Sequence, residues 1–310
     1  MSLIIAEQSP SYFIDIVTSA MTNERSRLAY KKDLDQFIQA SNRMHPDLSI
    51  SMRMDSWRNS LSKTLAPSSV NRKLSAVAKL VEVMYREGAI ELSELQKTKM
   101  VKRMKVRGSR VGRWMNQEEA QRLLDSPDAS TLMGARDKAL IGVLLGCALR
   151  RAETSRLAWS DMQSVKGKSG NNLYAFTNTI GKGDKVHTTA IPDWVLQLIT
   201  DYYWKLREHD SRLVDPFQPI FITFYRDMKV RGQMTSQTVY NIVKKYGEKE
   251  GIPISPHDFR RTFAKLALIN GGTVKEISDV LAHESLDTTM RYIQDIEDYE
   301  RSKELVTMAV

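Results

Sequence analysis

Four short segments of this 310-residue chain carry side chains suited to chemistry on an anion. The first is Ala148-Leu149-Arg150-Arg151-Ala152-Glu153, where an apolar run gives way to charge. An arginine at the end of a buried helix is held rigidly, which suits two-point gripping of a phosphate. Taken alone, an arginine such as Arg150 is more often a structural ion-pair partner. The second segment, Gly181-Lys182-Gly183-Asp184, is turn chemistry between two strand-like runs and puts Lys182 at the tip of a β-hairpin. The third is Pro256-His257-Asp258-Phe259-Arg260-Arg261-Thr262. His257 and Arg260 are three residues apart and share one helical face. Imidazole beside guanidinium suits an anion that gains charge during reaction, although a single such pair also occurs as an ordinary surface feature. In the fourth segment, Leu281 to Tyr292, His283 at a helix end precedes Tyr292 by nine residues. Most tyrosines at that spacing are packing residues.

The elements that must position these groups read as mainly α with a small antiparallel sheet. From about residue 10 to 95 the apolar period is helical. Tyr30, Leu34, Phe37 and Ile38 share one face; Met54, Trp57 and Leu61 share another. Val70, Leu74, Val77, Val81 and Met84 form the stripe of a long helix opened by Pro67. Its other face carries Asn71, Arg72, Ser75 and Lys79, either simply solvated or laid against a polyanion. Residues 97–110 hold Lys97, Lys99, Lys102, Arg103, Lys105, Arg107 and Arg110 with no acid among them, the pattern of a basic linker. The expected division is a helical domain over 1–96, a linker over 97–112 and a second domain over 113–310. The second domain opens on Asn116 as N-cap with Glu119 three residues on. Helices are expected near 136–149, 193–206, 236–248, 257–270 and 274–281, with strands at 173–180 and 186–192.

The chain carries 46 Lys+Arg against 37 Asp+Glu, a formal net charge of +9, which favours polyanionic partners: nucleic acid first, an anionic membrane second. The excess is uneven. Residues 1–110 hold 19 basic and 11 acidic side chains, and the remainder is nearly neutral. An anion site in the second domain must therefore come from placed residues rather than from bulk charge. The single cysteine, Cys147, excludes an intrachain disulfide and lies in an apolar run, so it reads as a packing residue. No apolar stretch approaches membrane-spanning length and no secretory leader is evident, giving a soluble, cytoplasmic expectation. His45, His187 and His209 form no ligand cluster with cysteines or carboxylates, so no metal is expected.

In combination, the four segments resemble the signature of the tyrosine recombinases, or phage integrases. That family has an Arg in Gly-Leu-Arg-x-x-Glu, a Lys in a β-hairpin, His-x-x-Arg, then Leu-Gly-His followed by Thr-Thr-x-x-Tyr. Arg150, Lys182, His257, Arg260, His283 and Tyr292 appear in that order. Upstream, Thr22 to Phe37 and Ser68 to Tyr85 look like the family's helical core-binding domain, extending the resemblance over nearly the whole chain. Ala148 and Ala282 stand where the family usually has glycine, small-for-small changes expected to leave the chemistry in place. Arg261 fills a slot that is often His.

The resemblance implies a catalytic domain of the tyrosine-recombinase type behind a helical core-binding domain. It implies that Tyr292 attacks a DNA phosphodiester to form a 3′-phosphotyrosyl bond, without ATP, metal or other cofactor. Arg150 and Arg260 would grip the non-bridging oxygens, and Lys182 would protonate the leaving 5′ oxygen. His257 would hydrogen-bond the phosphate and help accept the tyrosine proton, and His283 would support the phosphate or position the nucleophile. Glu153 would steady Arg150 or a histidine. Arg72, Lys79, Lys102, Arg103 and Lys105 are candidates for DNA contact. Expected partners are double-stranded recombination sites, further copies forming a tetramer on DNA through the tail after Tyr292 (Leu305, Val306, Met308), and accessory proteins; no membrane is expected. Two alternatives remain open: a type IB topoisomerase-like enzyme that relaxes DNA without partner exchange, and a catalytically silent DNA-binding protein of the same fold. A metal-dependent nuclease is a more distant third.

Overall fold

A computed structural model describes residues 9–22, 24–105, 113–167, 170–181, 186–283, 285–290 and 293. The chain divides into two compact units, 1–110 and 111–310.

The first unit contains five helices among its described residues: α1 (Pro10–Ser19), α2 (Glu24–Ser41), α3 (Ile50–Leu61), α4 (Pro67–Arg86) and α5 (Leu92–Lys99). The expected stripe of α4 is its buried face: Val70, Leu74 and Val77 are fully enclosed and Val81 and Met84 nearly so. They pack with Phe13, Leu34, Phe37 and Trp57 from α1, α2 and α3. Pro67 begins α4, where its missing N–H costs nothing. A buried carboxylate braces α2 against α4. Asp33, 1% exposed, accepts hydrogen bonds from Lys73 Nζ at 2.7 Å and from both terminal nitrogens of Arg72.

The basic stretch does not begin as a free connector at residue 97. α5 runs through Lys99, and Leu95, Thr98 and Val101 are buried in the first unit's core. The backbone of Met104 is held at both ends by the side-chain amide of Asn71, at 2.8 and 2.9 Å. Arg58 Nη1 donates to the carbonyl of Lys102, and Arg103 Nη1 to that of Asn71. Thr98 and Val101, interleaved with the lysines, dock the segment together with Leu95 and the Asn71 amide, which counting charges does not reveal. The rest of the expected linker, residues 106–112, lies outside the described residues.

The second unit is built around α7 (Leu132–Gly146), enclosed on nearly every side: Ala139, Leu140, Ile141, Val143 and Leu144 have no exposed surface. α9 (Asp193–His209) lies close against it because Gly142 and Gly146 have no side chain. A Cβ on Gly146 would come within 2.5 Å of Val195 Cγ2 and 2.7 Å of the Trp194 ring. At the start of α7 the buried Arg136 donates to Asp137 and to the carbonyl of Ile222, and Tyr246 donates to Asp137 at 2.9 Å. These bonds tie the helix to β4 (Ile222–Phe224) and α10 (Ser236–Lys249). α6 (Gln117–Asp125) opens with the expected reciprocal cap between Asn116 and Glu119.

The remaining elements are α8 (Arg151–Thr154), β1 (Met162–Lys166), β2 (Asn172–Ile180), β3 (Val186–Ala190), β5 (Val230–Gln233), α11 (Pro256–Ile269) and α12 (Val274–Val280). Residues 286–290 and 293 are also helical. β2 and β3 are antiparallel neighbours, with Ile180 opposite Val186, and correspond to the two expected strands. β1 completes the sheet in the order β1-β2-β3, and β4 pairs with β5 in a separate hairpin. β1 has no alternation of apolar residues, and β4 and β5 are three and four residues long. A period-2 search therefore passes over all three.

Candidate active site

Arg150 follows the C-terminal end of α7 and caps α8. The chain turns between the two helices through Ala148, which is in the left-handed region at φ +50°. Glu153 holds the arginine by two points. Its carboxylate accepts the Arg150 backbone N–H at 2.7 Å and the side-chain Nη1–H at 2.8 Å. The Glu153 side chain is buried, whereas a third of the Arg150 side chain is exposed. Glu153 thus fixes the base of Arg150 and leaves part of its side chain exposed.

α11 carries the His-x-x-Arg segment. Pro256 occupies its first turn, and Asp258 accepts the backbone N–H and hydroxyl of Ser255, which fixes where the helix starts and hence the positions of His257 and Arg260. His257 is exposed and Arg260 is buried. Arg260 Nη1 donates to the carbonyl of Ala148, and Nη2 donates to the carbonyl of Leu281. One guanidinium thus ties together the turn two residues before Arg150 and the helix end two residues before His283.

The helix end itself is closed in a specific way. After α12 the N–H of His283 reaches the carbonyl of Ser278, and that of Ala282 reaches Asp279. This is the Schellman pairing, which requires a left-handed residue at the position Ala282 fills, and Ala282 has φ +46°. Both alanines at glycine positions of the family therefore sit in a conformation that favours glycine. The changes are therefore not conformationally neutral.

The electrostatics place Arg150, His257, Arg260 and His283 in one neighbourhood. His257, exposed at its surface yet partly desolvated by the protein around its ring, has a pKa below the ordinary imidazole value, first through that desolvation and then through the charges of Arg261, Arg260 and Arg150, with Asp258 opposing. His283 is pushed down to about 4, again first by burial and then by Arg260, Arg150 and the His257 ring. Both shifts favour the uncharged ring at neutral pH. Uncharged rings can hydrogen-bond an anion without adding to the mutual repulsion of the guanidinium groups.

Lys182 and Tyr292 lie outside the described residues, as does the tail beyond Ile293. β2 and β3 flank the segment that contains Lys182, and Ile293, adjacent to Tyr292 in sequence, is fully buried among Ala148, Ala264, Ile277 and Leu281. The carbonyl of Ile293 accepts a 2.9 Å hydrogen bond from Lys265, whose side chain is itself buried. Among the described residues, no group of three or more His, Cys, Asp or Glu side chains is placed to hold a metal ion.

Sequence reasoning missed Lys265 and Thr289. A lysine at 265 reads as a solvated charge, although it falls between Ala264 and Leu266, which is a signal of burial. Thr289 Oγ1 lies 2.8 Å from His283 Nδ1 and is fully enclosed. Of the five candidates for DNA contact, Lys102, Arg103 and Lys105 are exposed on the docked strap. Arg72 is half-exposed but paired to Asp33, and Lys79 pairs with Glu82 at 3.1 Å.

A sequence model of the phage integrase family matches residues 113–298. The chain is similar to tyrosine recombinase XerD of Lacticaseibacillus casei, 28% identical over 233 residues that span 74% of this chain and 73% of that protein. It is 26% identical to XerD of Pseudomonas putida over 87% of this chain and 86% of that one. The match to tyrosine recombinase XerA of Pyrococcus furiosus, 32% identical, spans 57% of this chain and 56% of the relative. Among solved structures, the XerH site-specific recombinase bound to a palindromic difH substrate superposes with a TM-score of 0.70 at 16% identity, covering 98% of this chain and all of that one. The Tn1549 transposon integrase in complex with a circular intermediate DNA gives 0.64 at 14% identity, over 98% and 99% of the two chains. No helix of the described residues is long and apolar enough to cross a membrane. With its catalytic-type residues in family order and more than half its length matched, the chain belongs to the phage integrase family.

Proposed function

We propose that this protein is a site-specific DNA recombinase that breaks and rejoins strands through a 3′-phosphotyrosyl bond at Tyr292. The observation that supports this reading is the position of Arg260, bonded to the carbonyls of Ala148 and Leu281, which links the helix carrying His257 to the segments that carry Arg150 and His283. The relatives are named tyrosine recombinases, and the structural neighbours hold DNA.

Phosphodiester cleavage by a tyrosine poses three problems. The phenol, with an ordinary pKa near ~10, must lose its proton; charge builds on the phosphate oxygens; and the departing 5′ oxygen must gain a proton. Arg150, presented by Glu153, and Arg260 stabilise the developing charge. His257, its ring shifted toward the neutral form, hydrogen-bonds the phosphate and accepts the phenolic proton as the O–P bond forms. His283 hydrogen-bonds the phosphate. Lys182, on the β2–β3 turn, donates the proton to the 5′ oxygen. The phosphotyrosyl bond conserves the energy of the broken linkage, and attack by the 5′ hydroxyl of a partner strand completes the exchange without ATP.

Lys102, Arg103 and Lys105, together with Arg72 and Lys79, contact the phosphate backbone, in keeping with the basic excess in the first 110 residues. Exchange between two duplexes takes four protomers. The tail containing Leu305, Val306 and Met308 docks on a neighbour in a cyclic head-to-tail ring, with accessory proteins selecting the sites. Such an enzyme works on the chromosome in the cytoplasm.

The test is a plasmid carrying two copies of the DNA that flanks this gene. The reading predicts deletion or inversion between the copies, absent with Tyr292→Phe. Relaxation of site-free supercoiled plasmid with no exchange would replace it with a topoisomerase, and tight binding without any strand breakage with a silent binding protein.

A further inference from the structure

The Nδ1 atom of His283 and the hydroxyl of Thr289 form a hydrogen bond in which either atom can supply the proton. Burial decides between the two arrangements. Thr289 has no exposed surface, and among the described residues this is the one hydrogen bond its hydroxyl makes. If Nδ1–H donated to Oγ1, the threonine proton would be enclosed without an acceptor. If the hydroxyl donates to Nδ1, its proton is satisfied and the single proton of the neutral ring belongs on Nε2. Enclosing an unmet donor is disfavoured by roughly tenfold or more in equilibrium terms, so the second arrangement dominates.

We propose that Thr289 is a positioning residue that fixes His283 as its Nε2–H tautomer, making the ring a hydrogen-bond donor at the anion site and not a base. Resting on the recombinase reading, this separates the roles of the two histidines. Phosphate oxygens are acceptors and match Nε2–H; the phenolic proton needs an acceptor and is left to His257. The lowered pKa of His283, about 4, means that the neutral ring, and therefore its tautomer, is the form present at neutral pH. Geometry adds a second consequence. Thr289 stands three residues before Tyr292 on the helical segment 286–290, so the same bond links the orientation of His283 to the segment that leads to the nucleophile. His283 is fixed from the other side by the backbone bond from its N–H to Ser278.

The experiment is long-range 1H–15N spectroscopy of the full-length protein, free of DNA, with 15N-labelled histidine at pH 7.5, His283 being assigned by loss of its signals in His283→Gln. The proposal expects an unprotonated Nδ1 and a protonated Nε2 in the wild type. It expects a mixed or reversed pattern in the near-isosteric Thr289→Val and a return to the wild-type pattern in Thr289→Ser. In single-turnover cleavage of nicked site DNA, Thr289→Val slows the step about tenfold with DNA affinity unchanged, and Thr289→Ser restores most of the rate. A protonated Nδ1 in the wild-type protein overturns the proposal even if the valine variant fails to fold, and so does an unaltered tautomer in that variant. Because the tautomer is read without DNA, the expected pattern in a wild-type protein that never cleaves would leave the Thr289–His283 coupling standing and overturn the recombinase reading instead.

Discussion

The guanidinium of Arg260 donates to the carbonyl oxygen of Ala148, an alanine held at φ +50° at the exit of the buried helix α7. The left-handed turn aims that carbonyl at the arginine and, two residues on, delivers Arg150 to the same neighbourhood. At the other turn Ala282, at φ +46°, directly precedes His283, and the carbonyl of Leu281 before it takes the second Arg260 bond. A side chain in this region costs roughly 1–2 kcal/mol, and both positions are bordered by groups of the candidate site.

Replacing either alanine with glycine relieves that strain and adds about 0.5–1 kcal/mol of chain entropy to lose on folding. Ala282 is partly exposed, so Ala282→Gly is expected to stabilise the second unit by about 0.5–1 kcal/mol. Ala148 is fully buried, and losing its methyl forfeits about 0.8 kcal/mol, so Ala148→Gly is expected to be close to neutral. Urea denaturation of the two variants side by side checks the difference; equal effects would contradict it.

Glu153 is expected to matter through Arg150. Glu153→Gln keeps the shape but weakens the charged contact to Nη1 and the grip on the backbone N–H. Cleavage of nicked site DNA should slow by about 10- to 100-fold, short of the roughly 10²–10³ expected for losing a whole donor. DNA affinity should stay within a few fold. A loss of binding with unchanged single-turnover rate would assign Glu153 elsewhere.

The two histidines give a pH dependence with a defined sign. In the folded chain both pKa values lie below the ordinary imidazole value of about 6.5, His283 near 4. Between those limits the unfolded chain binds more protons than the folded one, so stability rises with pH across the window and levels off above it. Acidification from pH 7 toward 4 should therefore destabilise the second unit progressively. His283→Gln should flatten part of that slope in denaturation curves taken at several pH values, and an unchanged slope would refute the assignment.

In the first unit the prediction concerns Asp33. Removing it leaves Lys73 buried without its carboxylate, a loss on the order of 3–5 kcal/mol. Arg72, half-exposed on the same carboxylate, should cost at most about 1 kcal/mol when changed to alanine. Hydrogen exchange across α4, read by mass spectrometry, should accelerate strongly in Asp33→Ala and little in Arg72→Ala. Similar exchange in the two variants would show that the pair with Lys73 does not brace the helix.

Most of the helical framework was legible because apolar residues recur with helical period and the ends are marked: Pro67 opens α4, and Asn116 with Glu119 opens α6. The order and spacing of Arg150, His257, Arg260 and His283 pointed to a shared site, and Arg260 supplies the physical link between their segments. What stayed hidden depends on tertiary placement. Lys265 and Thr289 belong to types that are usually solvated, and only the packed structure encloses them. The strain at Ala148 and Ala282 is a backbone property that residue size does not disclose. The docking of 97–105 rests in part on Asn71, a side chain 33 residues away from Met104 in sequence.

The most direct test of the central claim is to trap the protein on nicked site DNA, digest it with trypsin and sequence the DNA-linked peptide by mass spectrometry. The account predicts a single nucleotide-bearing peptide that begins after Arg291, modified at Tyr292 and not at the nearby Tyr299. A modification on any other residue, or strand breakage with no covalent peptide at all, would contradict it.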